Sequence, residues 1–380
     1  MWGRSVLSWL ALFLYVSGAT RLFVLIRRKV FRRYGVYLLS YHHVVANGNP
    51  DALGHHVSAE RFEEQIRFLK KWFDIVSLGQ ALKLMDQAPL LRDYVAITFD
   101  DGYADNYRIA FPILRKLEVR ATIFLITGLV GTNQLPWYDE CKVYLKHLAH
   151  RRFPNLQNNS AYDTILRLRK FLIDQAPIDV KTERAVNFLK IVDNDARQKV
   201  LDWLRAHFND PKGDTSPFQI MTWGQARQMA EHGIAFGSHT VNHPILTRLG
   251  SEEMHEELRV SKETIEHELK TRCDFFAYPN GSDNDYNPRI IESLRALGYR
   301  SACTQSFGSN RPGSDSFLLK RIGVGNIPPY VLAAKLSGVL SLMFYARELW
   351  KTWRSTPWPF KRTWDIHRRG AEHAEKSKVS

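Results

Sequence analysis

Cysteine is scarce in this chain of 380 residues: only Cys141, Cys273 and Cys303 occur, and no two have a paired spacing. That argues against a disulfide framework and against a cysteine-built metal site, and it favours a reducing compartment. No glycine-rich stretch has the spacing that cradles phosphates, and no nucleotide fingerprint is present. Acidic residues are outnumbered, 39 Asp and Glu against 53 Lys and Arg, for a formal net charge of +14. An anionic partner is therefore expected. The positive charge gathers near the ends, in RRKVFRR (Arg27–Arg33) and at Lys361, Arg362, Arg368 and Arg369. Such placement suits an anionic membrane surface better than a nucleic-acid groove, so no nucleic acid is expected.

A long uninterrupted apolar run is missing too. SVLSWLALFLYVSGAT (Ser5–Thr20) is uncharged, and RLFVLI continues it past Arg21. This is borderline for a spanning helix, which needs about 20 apolar residues. A secretory signal carries its positive charge in front. Here Arg4 precedes, while Arg21, Arg27, Arg28, Lys29, Arg32 and Arg33 follow, which keeps the rest of the chain in the cytoplasm. Residues 1–34 are thus expected to associate with the cytoplasmic face of the inner membrane, spanning it or lying in its interface. The alternative is a helix packed on the protein's own core. Tyr330–Trp353 reads as an amphipathic helix, docked on the core or touching lipid, and a polar basic tail completes a segment over 326–380.

Between the ends, short β-like runs alternate with helical patterns, as in parallel βα units. The strand candidates are VYLLSY, FDIVSL, YVAITF, ATIFLITG, GIAFGS, DFFAYP, YRSACT and FLLKRIGV. Among the helices, SAERFEEQIRFLKKW opens on Ser58 as a cap and places Phe62, Ile66 and Leu69 on one face. The fold expected over residues 35–325 is α/β, a distorted (β/α)7-type barrel, with apolar or amphipathic helices at both termini. Chemistry in such barrels sits at the C-terminal ends of the strands. Residues 135–219 carry only helical patterns. This insertion leaves the C-terminal end of ATIFLITG, so it should rise over the catalytic face, as a lid, as a recognition element or as structural decoration.

Two strand ends carry the chemistry. TFDDGYADNY sets Asp100 and Asp101 side by side and turns at Gly102. Adjacent side chains on a strand point to opposite faces, so a cap would use only one acid. GSHTVNHP places His239 and His243 four apart, and a helical turn would bring them to one face as metal ligands. Two histidines and one carboxylate leave a coordination position open, as in a catalytic zinc site. One acid can then bind while the other takes a proton from the attacking water. Each motif alone is weak, since histidine pairs are commonly surface or core and paired acids commonly cap helices. Together, each at a strand end, they are specific.

TFDDG, GSHTVNHP and FFAYPNG, in that order, resemble the polysaccharide deacetylase family (the NodB-homology domain, carbohydrate esterase family 4). The resemblance runs over roughly Val36–Val324 apart from the insertion. It implies metal-dependent hydrolysis of a sugar N-acetyl group, with Asp100 as general base and Asp101, His239 and His243 as ligands of a divalent ion, zinc for preference. It also implies the backbone N–H of Asn280 as an oxyanion donor. Two departures stand out. Ala277 occupies the place of an arginine that tethers the base in many members. FLLKRIGVGN lacks the late catalytic-acid histidine, but VYLLSYHHV ends in His42 and His43. This resembles the subset in which that motif has moved to the N-terminal end, which implies His42 as the acid; local capping by His42 is the competing role. His43 should face the opposite way.

Asp105 reads as a cap for the following helix. Trp137 and Tyr138 in LPWYDE, and Trp223 in MTWGQA, could stack on sugars, although Trp223 also suits packing at the start of a helix capped by Thr222. The expected activity is removal of an N-acyl group from an amino sugar of a polysaccharide or of a lipid-linked saccharide. The rival is a non-catalytic carbohydrate- or lipid-binding protein, with Ala277 as the mark of a decayed site.

Overall fold

The computed structural model describes residues 4–29, 34–46, 56–87, 89–149, 162–173, 175–207 and 218–338. Arg32, Arg33, the part of the expected C-terminal helix from residue 339 onward and the basic tail lie outside the described residues. By internal contacts the chain divides into two compact units, residues 27–332 and residues 1–26 with 333–380.

The larger unit contains strands β1 (Val36–Tyr41), β2 (His43–Val45), β3 (His56–Ser58), β4 (Asp74–Ile75), β5 (Tyr94–Phe99), β6 (Ala121–Leu125), β7 (Ala235–Ser238), β8 (Phe275–Ala277), β9 (Ser301–Phe307) and β10 (Leu319–Gly323). Seven run in the order β1-β10-β9-β8-β7-β6-β5 and close where β5 pairs β1 from Val36↔Tyr94 to Tyr41↔Phe99. Every pairing in the ring is parallel. The run FDIVSL shrinks to β4, which pairs only Tyr94 and Val95 before β6 takes over at Ile97. Eight strand-like runs therefore surround a ring of seven. β2 and β3 form a separate parallel ribbon, so His56 lies in a strand rather than a loop.

Helices fill the returns: α3 (Ala59–Trp72), α4 (Leu78–Asp86), α5 (Phe111–Lys116), α10 (Trp223–Glu231), α11 (Ser251–Leu269) and α12 (Pro288–Ala296), with α6 to α9 in the insertion. All six residues of β1 are buried, as expected for a parallel strand covered on both faces. In α3, Ser58 accepts from the Arg61 N–H at 3.2 Å, and Phe62, Ile66 and Leu69 are fully buried. The helix after the two aspartates is not continuous. Pro112 cannot donate to the residue 108 carbonyl. The chain winds instead as a π-turn over Asn106–Ala110, closed by the Phe111 N–H on the Asn106 carbonyl, before α5 begins.

The insertion supplies α6 (Trp137–Ala149), α7 (Tyr162–Leu172), α8 (Ile178–Ile191) and α9 (Asn194–His207). They bury Leu145, Ile165, Leu189, Val200 and Leu204 in a core of their own. In the smaller unit, α1 (Arg4–Val16) exposes Trp9, Phe13 and Val16, and the helix that follows, α2 (Ala19–Lys29), exposes Leu22, Leu25 and Ile26. No single described helix is long and apolar enough to cross a membrane, although Ser8–Val16 and Ala19–Lys29 pass that test jointly, bent by 70°. Arg27 and Arg28 both pair with buried Asp93. That carboxylate also accepts from the Gly35 N–H at 2.8 Å. These two charges, expected at lipid headgroups, serve the fold instead. The last described helix is α13 (Pro329–Ser337).

Gly237 shows how tightly β7 is held. A Cβ there would sit 2.7 Å from the Phe275 carbonyl oxygen and 2.7 Å from the Phe124 ring. Gly237→Ala should cost about 1–3 kcal/mol in denaturant unfolding and displace His239, two residues on. Unchanged stability would show that β7 and β8 can part freely.

Candidate metal centre and active site

β5 ends at Phe99, and the Asp100 N–H donates to the Tyr41 carbonyl at 3.0 Å. Asp101 then turns left-handed, with φ 71°, as does Gly102 with φ 80°. That turn breaks the strand's alternation, so both carboxylates are buried at one mouth of the barrel. Only glycine fits at 102: a Cβ would lie 2.5 Å from Leu125 Cδ2.

After β7, His239 and His243 meet without a helical turn. Thr240 (φ 69°) and His243 (φ 55°) are both left-handed, a costly conformation for side-chain-bearing residues. The loop is held in it from outside. Thr240 Oγ1 accepts from the His243 N–H at 2.9 Å. Glu257 on α11 accepts from the N–H groups of Val241 at 2.7 Å and Asn242 at 3.0 Å, and from Asn242 Nδ2 at 2.8 Å.

His239 Nδ1 bonds the Ala277 carbonyl at 2.7 Å, which makes Nδ1 the donor and leaves the Nε2 lone pair free. His239 Nε2 and His243 Nε2 lie 3.6 Å and 3.8 Å from Asp101 Oδ1. These separations are long for hydrogen bonds but near the edge of a tetrahedron of ligands around zinc, about 3.4 Å. His243 Nδ1 is buried without a hydrogen-bond partner. Burial holds the His243 imidazole well below its ordinary pKa, hence neutral, as a ligand must be. Burial, with the neighbouring Asp100 charge, pushes Asp101 up to about 6 against the pull of His239. Two neutral imidazoles facing one carboxylate in a dry site fit a divalent ion. Among the described residues, Asp101, His239 and His243 are the one such cluster.

Asp100 has a different environment. Arg321 on β10, fully buried, grips it in a fork: Nη1 donates to Oδ1 at 2.6 Å and Nη2 to Oδ2 at 2.8 Å. The Arg321 Nε donates to the Thr304 carbonyl at 2.8 Å. Gln305 Nε2 adds a bond to Asp100 Oδ2 at 2.9 Å. Burial alone would raise the Asp100 pKa, but the Arg321 charge, with His239 and His42, outweighs it and holds the carboxyl well below the usual range. His42 follows β1 directly, half-buried, with Nε2 3.9 Å from Asp100 Oδ2. Asn280 sits left-handed at φ 59° in the turn after β8. That turn is tied to the same rim where the Gln305 N–H donates to the Gly281 carbonyl at 2.8 Å.

The sequence model of the polysaccharide deacetylase family matches residues 88–302. This chain belongs to the polysaccharide deacetylase family. It is accordingly a hydrolase of amide carbon–nitrogen bonds, a glycan N-deacetylase. YxkH of Bacillus subtilis, which carries the family's name, is 21% identical over 285 residues, 74% of this chain and 69% of that protein. A poly-beta-1,6-N-acetyl-D-glucosamine N-deacetylase of Staphylococcus epidermidis is 27% identical over 115 residues, 27% of this chain and 40% of that protein. Among solved structures, IcaB from Ammonifex degensii aligns with a TM-score of 0.52 at 18% identity, covering 80% of this chain and 97% of that one. The Streptococcus pyogenes deacetylase PplD in complex with acetate gives 0.50 at 20% identity, with the same coverages of 80% and 97%. Likeness at these identities shows the fold, a (β/α)7 barrel.

Other expectations for this deacetylase need correcting. Asp105 makes no helix-capping bond. It pairs instead with His43 Nδ1 at 2.7 Å and accepts from the Val44 N–H at 3.3 Å. His43 is buried, stacked on Tyr103 at 3.6 Å between ring centroids. Trp137 and Tyr138 are not open platforms for sugars; both are buried at the start of α6. Trp137 Nε1 donates to the His243 carbonyl at 3.2 Å, and the Tyr138 ring stands edge-on to His243 at 5.0 Å. Trp223 starts α10, which Thr222 caps. Arg321, Gln305 and Glu257 escaped the sequence reading. The available signal for Arg321 was an arginine one residue from Lys320 in a strand, hence facing inward where Lys320 faces out.

The deacetylase should bind zinc with a pH dependence set by Asp101. Its raised pKa means that the ion displaces a proton in mild acid, so affinity should fall about tenfold per unit below about pH 6 and level off above it. Competition with a chelating dye across that range measures this, and a flat profile would remove Asp101 as a ligand. Arg321→Met should cost about 3–5 kcal/mol by leaving Asp100 buried and unpaired. Adding Asp100→Asn should recover part of that loss in the same unfolding assay, and a strictly additive double variant would contradict the pairing.

Proposed function

We propose that this deacetylase removes an N-acetyl group from an amino sugar, in a polysaccharide or a lipid-linked glycan, with a divalent ion held by Asp101, His239 and His243. Zinc suits two imidazoles and one carboxylate with an open position. The observation that carries the reading is the meeting of those three groups with an arginine-clamped second carboxylate at one barrel mouth. When bound, such an ion supplies polarisation of the acyl carbonyl and acidification of the attacking water.

The chain's own residues supply the rest. Asp100 is ionised throughout the neutral range and fixed by Arg321 and Gln305; it takes the proton of the water. The Asn280 N–H is the oxyanion donor of this reading. His42, half-exposed and within 3.9 Å of Asp100, hands a proton to the departing amine, which is otherwise a poor leaving group. The departure that favoured a non-catalytic protein was Ala277. It loses its force because Arg321 takes the place of the tether.

The amino-sugar substrate is supported by the name of the Staphylococcus epidermidis relative. A lipid-linked form is supported by the exposed apolar residues of the smaller unit, which suit burial in a membrane interface on the cytoplasmic side. A topology reporter that places residue 100 in the periplasm would overturn that part. Acetate release from N-acetylglucosamine oligomers and from a polyprenyl-linked amino sugar, with and without chelator, tests the rest. Asp100→Asn should keep zinc and lose about 10²–10⁴-fold in turnover, whereas His239→Ala should lose both. Full turnover in zinc-loaded Asp100→Asn would remove the proposed base.

A further inference from the structure

We propose that LPWYDE (Leu135–Glu140), at the head of the insertion, is the outer sphere of the ion site: Tyr138 positions Asp101, Trp137 positions His243, and the insertion helices thereby set the affinity for the ion. This rests on reading Asp101, His239 and His243 as the ligands.

The Tyr138 hydroxyl donates to the Asp101 carboxylate. Behind it, at 3.5 Å, lies the Tyr103 hydroxyl, whose own proton goes to Asp139 Oδ2 at 2.6 Å. Asp139 is buried and compensated by Lys142 Nζ at 3.2 Å, which also faces Glu183 on α8 at 4.0 Å. Every member of the chain from Asp101 to Asp139 is buried, so each bond acts in a low dielectric, where losing a partner is costly. Trp137 forms the second arm. Its N–H holds the His243 carbonyl, and the buried Arg197 of α9 lies 4.4 Å over its ring. Both arms rise from the first turn of α6, whose core is shared with α7, α8 and α9. A lid that opens to admit substrate would have to break both. The insertion is therefore a fixed wall of the ion site.

Zinc affinity measured on the full chain tests this, by competition with a chelating dye and by the visible spectrum of the cobalt-loaded protein. Tyr138→Phe keeps the ring against His243 and removes only the hydroxyl. It should weaken zinc binding about 10–100-fold and alter the cobalt spectrum. Tyr107→Phe, which removes a hydroxyl bonded to Gln228, should bind as the parent does. Parental affinity and spectrum in Tyr138→Phe would overturn the proposal. If Tyr138→Phe does not fold, Tyr103→Phe decides: a loss of about fivefold supports it, and no loss overturns it. Asp101→Asn separates the two readings. Were it to bind zinc as the parent does, the ion site itself would be wrong, whereas lost binding there beside unchanged Tyr138→Phe would sink only the outer-sphere role.

Discussion

The buried fork between Arg321 and Asp100 is the constraint on which the site depends. Two consecutive carboxylates in a dry pocket cannot both stay ionised unless each has its own positive partner. Arg321 serves Asp100, at 2.6 Å and 2.8 Å. Asp101 has no such cation from the protein, only imidazoles and a phenol. The two neighbours are driven apart accordingly, Asp100 below the usual carboxylate range and Asp101 up to about 6. Pairs of like groups separated in this way mark a division of labour. The acid clamped by arginine is a poor proton acceptor by strength alone, and what it gains is a fixed direction and guaranteed ionisation. The other is a vacancy for a cation in electrostatic terms.

Strain is concentrated where these side chains turn inward. Asp101, Thr240, His243 and Asn280 all have positive φ without being glycine. Each such residue costs of order 1–3 kcal/mol and persists only where surrounding structure over-determines it. At the histidine loop that structure is visible: Glu257 and Thr240 Oγ1 saturate the N–H groups of Val241, Asn242 and His243. The long helix α11 thus reaches the reaction through one carboxylate. The site is a set of strained strand ends, each fastened by a neighbour that takes no part in chemistry.

Much of this was legible in the sequence, and the boundary has a physical reason. Asp100, Asp101, His239, His243 and His42 lie within a few residues of strand ends, so local pattern places them. The barrel was legible from alternating runs, with β4 over-read because two paired residues carry no signature distinct from a longer strand. Arg321 is 221 residues from Asp100. Only ring closure brings the two together, and a search of FLLKRIGVGN for histidine passes over its inward arginine. Glu257 and Tyr138 were hidden in the same way, by tertiary contact. The errors at Asp105 and at the histidine turn are local. Asp105 prefers a buried imidazole to a helix end, and two left-handed residues replace the helical turn that four-residue spacing suggests.

The ring has a consequence for how the protein is made. β1 is stitched between β5 and β10, so the earliest strand to leave the ribosome is flanked on one side by the latest. Until residue 321 has emerged, the aspartate at position 100 has no guanidinium to rest against, and the growing chain carries two adjacent negative charges into a half-built core. Competence therefore arrives in one late event rather than by degrees. A nascent chain stalled short of β10 is an open sheet with a hydrophobic edge on β1 and a charged defect beside it, the kind of species that holdase chaperones exist to shield.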